Sequence, residues 1–96
     1  MMKYIAVQWL HNNSDYPIYL YSELDENRDE LRKIEVYKDG SFGFASKDGN
    51  FGGTELGLEP LSELSEIAED QQFVFFEISS NEFDKLWLRY KHHLSE

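Results

Sequence analysis

Apolar and polar positions alternate with a period of two through most of the first half of the chain, the spacing of half-buried β-strands. In residues 3–11, KYIAVQWLH, Ile5, Val7 and Trp9 alternate with Tyr4, Ala6, Gln8 and Leu10, and β-branched and aromatic side chains dominate. NNSDYP (12–17) reads as a turn, because Asn, Ser and Asp compete for local backbone hydrogen bonds and Pro17 cannot donate one. A second strand is expected over residues 18–25, a loop at ENRD, and a third strand over residues 30–38. Asp39-Gly40 tolerates the positive φ of a tight hairpin turn, and SFGFAS (41–46) follows as a fourth strand.

The period then changes. All six glycines lie between Gly40 and Gly57, which marks residues 47–59 as an irregular connection. Leu61, Leu64, Ile67 and Ala68 recur at helical spacing and predict a short helix over 61–70, with Pro60 near its first turn. FVFFEI (73–78) reads as a fifth strand. Ser79 and Glu82 fit a capping box at the start of a last helix, along which Phe83, Leu86, Trp87, Tyr90 and Leu94 form one apolar stripe. The expected fold is therefore α+β: an antiparallel β-sheet of four to five strands, a C-terminal helix packed on one face, and a short second helix.

Register follows from loop length. A four-residue ENRD loop sets Asp25 opposite Glu30, Glu23 opposite Arg32, Tyr21 opposite Ile34 and Tyr19 opposite Val36. A two-residue Asp39-Gly40 turn sets Tyr37 opposite Phe42, Val36 opposite Gly43, Glu35 opposite Phe44 and Ile34 opposite Ala45. One face then carries Ile5, Val7, Trp9, Tyr19, Tyr21, Ile34, Val36, Gly43 and Ala45, and is assigned to the helix. The other is mixed, with Gln8, Leu20, Ser22, Leu24, Lys33, Glu35, Tyr37 and Phe44 among its members. It is either covered by the glycine-rich loop and short helix, or a partly open patch that binds something.

Composition narrows the possibilities. Ninety-six residues make a single domain over 1–96, and 41% hydrophobic residues supply its core. There is no cysteine, hence no disulfide, thiolate metal site or Cys nucleophile. Gln8 and His11 interrupt the N-terminal apolar run, which is too short for a secretory signal or a membrane span, so a cytoplasmic protein is expected.

Charge changes the picture most. The net charge is −10, and Asp48, Glu55, Glu59, Glu63, Glu66, Glu69 and Asp70 fall in a stretch with no basic residue. Phosphate backbones and anionic membrane surfaces require basic contacts, so neither nucleic acid nor membrane is an expected partner. A solvated acidic surface is the plain explanation of the stretch; steering of a basic protein is the functional one.

No reactive constellation stands out. DENRD imitates the start of a calcium loop, but its sixth position is Glu30 rather than Gly, its twelfth is Val36 rather than Glu, and a strand follows. GNFGGTELG has the glycine content of a phosphate loop without its lysine. His92 and His93 are adjacent, about 100° apart around a helix rather than one turn apart, and His11 stands alone at a strand end, where a turn or packing role suits it. With no nucleophile beside a base, no catalytic residue, metal site or cofactor is assigned, and an enzyme is the less favoured reading.

The segments KYIAVQWLH, LYSELDENRDELRKIEVYKDG, LGLEPL and EIAED, with EF and LW in the last helix, resemble a family of small acidic bacterial proteins, a domain of unknown function. The resemblance runs from Lys3 to about Trp87. It implies a bacterial cytosolic origin and one compact domain, and supplies no activity. The functional expectation is a non-catalytic module that binds a basic protein through the acidic stretch, of the immunity type that occludes a toxin or nuclease. The alternative is a small-molecule site or minor enzyme built on Gln8, Lys33, Glu35, Tyr37 and Phe44. Homodimerisation through a strand edge is a third option.

Overall fold

The computed structural model describes residues 2–57 and 72–93. Six strands form one sheet: β1 Lys3–Trp9, β2 Tyr19–Leu24, β3 Glu30–Val36, β4 Phe42–Ser46, β5 Gly49–Phe51 and β6 Phe73–Glu77. Their order is β5-β4-β3-β2-β1-β6, and every pairing is antiparallel. Helix α1, Ser80–His93, packs on one face. The sheet thus exceeds the expected four to five strands, because Gly49-Asn50-Phe51 is too short and too glycine-rich to show an alternation. The short helix expected over 61–70 lies outside the described residues, as does Leu94.

Two hairpins share one device. In the first, Asp25 N–H donates to Asp29 O (3.1 Å) and Arg28 N–H to Asp25 O (3.0 Å); in the second, Tyr37 N–H donates to Ser41 O (2.8 Å) and Gly40 N–H to Tyr37 O (3.0 Å). Each encloses a three-residue loop whose last member is left-handed, Arg28 at φ 66° and Gly40 at φ 89°. An aspartate at each loop accepts backbone N–H groups through Oδ1: Asp25 from Asn27 (2.8 Å) and Asp29 (3.0 Å), Asp39 from Ser41 (2.9 Å).

Loop length decides register. The two-residue Asp39-Gly40 turn expected from the sequence is a three-residue loop, so β4 is shifted by one: Val36 faces Phe42, Ile34 faces Phe44 and Lys33 faces Ala45. A one-residue shift exchanges the two faces of a strand. Phe42 and Phe44 therefore meet the helix, where Gly43 and Ala45 were expected. Between β2 and β3 the loop is, conversely, one residue shorter than expected, giving Leu24 opposite Glu30, but a bulge at Leu31 restores Glu23 opposite Arg32, Tyr21 opposite Ile34 and Tyr19 opposite Val36. β1 is turned over as well: Ile5, Val7 and Trp9 share the face of Ser22, Leu20 and Ala45, away from the helix, while Tyr4, Ala6 and Gln8 lie on the helix side.

The core on the helix side joins Ile34 and Phe44 of the sheet to Phe83 and Trp87 of α1, with Tyr4, Tyr21, Val36, Phe42, Ile78, Leu86 and Tyr90 packed around them. Phe83 is fully buried, with its ring 5.5 Å from Tyr4, and Trp87 meets Phe44 edge-on at 5.4 Å. The capping box forms as the sequence predicts: Glu82 N–H donates to Ser79 Oγ (3.1 Å), and Ser79 N–H donates to Glu82 Oε1 (3.2 Å).

The opposite face is covered too, since Ile5, Ser22, Leu24 and Ala45 are buried. Part of the cover comes from the glycine-rich loop. Gly52 and Gly53 turn it with positive φ (71° and 79°), which brings Thr54 against Gly43. Gly57 N–H then donates to the Glu30 carboxylate (2.6 Å), fastening the loop to the sheet.

Candidate functional site

The Leu31 bulge precedes a side chain with several partners. Arg32, the residue after it, donates from Nε to Glu23 Oε1 (2.8 Å) and from Nη2 to Glu23 Oε2 (2.9 Å), the bidentate geometry that a planar guanidinium favours. Nη2 also donates to Asp84 Oδ1 of the helix (2.9 Å). The guanidinium lies 4.8 Å from the Phe83 ring and 5.2 Å from the Trp87 ring, so the charge rests on the aromatic core. Hydrogen bonding to Arg32 holds the Glu23 carboxyl below its ordinary value against the opposing effect of burial, and the Tyr4 hydroxyl adds a second bond. That bond to Glu23, with burial, pushes the Tyr4 hydroxyl up. The same contacts raise the Arg32 pKa. Arg32 and Glu23, which face each other across β2 and β3, form a largely buried pair, with side-chain exposures of 23% and 12%.

Beside this bridge is a cleft. The last β3–β4 pair is Arg32 with Ser46, whereas β3 begins at Glu30, so β3 outruns its neighbour by two residues. The space has a volume of about 350 Å³. Leu31 and Glu30 of β3, Ser46 at the end of β4, Lys47 and Asp48 of the β4–β5 turn, Leu56 of the loop, and Trp87 and Lys91 of α1 surround it together with Glu23 and Arg32. Three of the chain's nine lysines and arginines are here. Arg32 is neutralised by Glu23 and Asp84, whereas Lys47 and Lys91 have no ion pair among the described residues. Lys91 Nζ stands 5.9 Å from the Trp87 ring.

On the opposite face, Glu30 is a buried carboxylate with several donors. Its side chain is 5% exposed and accepts from Ser22 Oγ (3.1 Å), Lys33 Nζ (3.4 Å) and Gly57 N–H (2.6 Å). The side chains considered for a sheet-face ligand site are divided. Lys33 and Glu35 share this face, Lys33 bonding Glu30 rather than converging with Glu35. Gln8 and Phe44 are on the helix side, Phe44 buried against Trp87, and Tyr37 closes the β3–β4 turn through its backbone. Of the acidic stretch, Asp48 and Glu55 are exposed; Glu59, Glu63, Glu66, Glu69 and Asp70 lie outside the described residues.

His11 organises the β1–β2 turn. Its Nε2–H donates to Pro17 O (2.8 Å) and its Nδ1 accepts from Asn13 N–H (3.0 Å), while its ring stands edge-on to Trp9 at 4.7 Å. Both ring nitrogens are thereby engaged in the turn. The Asp25 carboxylate of the calcium-like DENRD closes its own loop, and among the described residues no group of three His, Asp or Glu side chains is placed to hold a metal ion. No helix among them is long and apolar enough to cross a membrane.

The cleft has no advance signal in the sequence, because it arises where strand ends, a bulge and a helix terminus meet. No curated protein and no solved structure matches the chain. A family model does, over residues 3–92: the domain of unknown function DUF6881, and the chain belongs to that family.

Proposed function

We propose that this DUF6881 member is a non-catalytic binding module of the bacterial cytoplasm, holding a basic protein partner through its acidic surface as an immunity protein occludes a toxin or nuclease. The observation that carries the reading is the net charge of −10, with the stretch from Asp48 to Asp70 free of any basic residue. Concentrated charge of one sign raises the encounter rate with an oppositely charged protein and fixes its orientation.

The loop geometry supports this reading. Asp48 and Glu55 are exposed; Asp48 N–H donates to Ser46 Oγ (3.2 Å) within its turn, and the backbone on either side of Glu55 is held by Thr54 against Gly43 and by the Gly57–Glu30 hydrogen bond. Carboxylates on a fastened backbone lose less freedom on binding than carboxylates on a free one.

Co-expression with the product of the adjacent gene, followed by affinity purification at increasing salt, tests the reading. The expected result is a stoichiometric complex at about 50 mM salt that dissociates by about 500 mM. A neighbour product that never co-purifies, or does so independently of salt, contradicts it.

A further inference from the structure

We infer that the cleft at the end of β3 binds a small organic anion, a carboxylate or phosphate ester carried on a flat apolar body. This site goes beyond the acidic-surface reading and has the opposite charge preference.

Lys47 and Lys91 border a volume of about 350 Å³, and no carboxylate of the described residues pairs with either. In a chain with 19 acidic and 9 basic side chains, two cations flanking one cleft without a counter-ion leave room for an external anion. The other charges there are already satisfied: Arg32 holds Glu23 and Asp84, and Glu30 takes its hydrogen bonds from Ser22, Lys33 and Gly57. Asp48, on the turn beside Lys47, is the remaining acid and disfavours a ligand of high charge density at that end.

The rest of the lining selects a flat apolar body. Leu31, Leu56 and Trp87 supply an apolar wall, and the Trp87 ring is fixed between Phe83, Phe44 and the Arg32 guanidinium. The volume is at the lower end of the roughly 300–1,000 Å³ range of ligand pockets, which fits a one- or two-ring molecule. Leu56 directly precedes the loop's anchor at Gly57, so the wall is preformed.

The chain's two tryptophans provide the readout. Trp87 lines the cleft, and Trp9, in the separate cluster with His11, Tyr16 and Phe73, borders a different depression with Lys38 and so reports binding elsewhere on the molecule. The full chain is titrated with 2-naphthoate, 2-naphthyl phosphate, neutral 2-naphthamide and inorganic phosphate while both indole N–H resonances are followed. The expected result is a saturable shift of Trp87 alone with one or both naphthyl anions, the tighter one naming the headgroup. The amide and inorganic phosphate bind at least about tenfold more weakly, as does either naphthyl anion to the Lys47→Gln/Lys91→Gln protein. Both lysines are exposed, so an otherwise unchanged spectrum verifies that the variant is folded. Equal shifts of both indoles, no saturation, undiminished binding by the double variant, or inorganic phosphate binding as well as the naphthyl ester would overturn the inference.

Discussion

Thr54 Oγ1 occupies the space that a side chain on residue 43 would need. A Cβ built on Gly43 collides with that oxygen and falls 2.9 Å from Phe51 O and 3.1 Å from Thr54 Cβ. Gly43 is thus the residue that lets the glycine-rich loop lie against the sheet. Gly43→Ala should cost about 1–3 kcal/mol of stability, and adding Thr54→Gly should return part of it. Urea denaturation of the two variants checks both; an unchanged midpoint for Gly43→Ala would remove Thr54 from that contact.

Thr54 itself is 1% exposed, and its hydroxyl has no hydrogen-bond partner among the described residues. Water would satisfy that hydroxyl in the unfolded chain, so burial penalises it. Thr54→Val keeps the shape and removes the penalty. The variant should be at least as stable as the parent, by up to about 1 kcal/mol. A loss of stability in the same denaturation assay would reveal a polar contact for Oγ1.

Strand positions, the Ser79–Glu82 cap and the pairing of Glu23 with Arg32 follow from local chemistry, and all are present. The register of β4 does not, because Asp39-Gly40 serves a two-residue turn and the second half of a three-residue loop equally well. Between β2 and β3 a shorter loop and the Leu31 bulge cancel, so the expected central pairs hold although the loop differs. β1 was turned over for a different reason: Ile5 and Ala6 are both buried, and a strand covered on both faces has no polar side to orient it. Clefts formed by strand ends leave no periodic trace at all.

Glu23 and Arg32 predict how stability responds to acid. The Glu23 carboxyl is held below its ordinary value of 4.5, first by its hydrogen bonds to Arg32. The unfolded chain therefore takes up a proton at higher pH than the folded one. The contribution is fully present above about pH 4.5 and is lost as pH falls through the lowered folded value. Glu23→Gln should flatten this acid limb in thermal melts between about pH 6 and pH 3, and an unaltered limb would contradict the linkage.

The same pair joins the sheet to the helix through Asp84 and the Phe83 and Trp87 rings. Arg32→Met should destabilise the fold by about 2–4 kcal/mol, since it leaves Glu23 with an uncompensated, largely buried charge. Arg32→Met combined with Glu23→Gln should cost less than the sum of the two single changes, by about 1–2 kcal/mol in a double-mutant cycle. Strict additivity would mean that the two side chains do not stabilise each other.

Gly40 closes the β3–β4 loop at φ 89°, a conformation L-residues adopt only with strain. Gly40→Ala should cost about 1–2 kcal/mol without moving the helix core, because nothing stands within 4 Å of the added Cβ. Denaturant unfolding measures the cost, and unchanged shifts of the Trp87 indole confirm that the core is intact.

The acidic-surface reading is tested most directly by calorimetric titration of the purified adjacent-gene product into this chain, repeated across a salt series and against a variant with Asp48 and Glu55 changed to Asn and Gln. Affinity should fall at least about tenfold between roughly 50 and 500 mM salt, and the variant should bind more weakly with a shallower salt dependence. Binding that ignores both salt and the two substitutions, or no heat at any salt concentration, would contradict it.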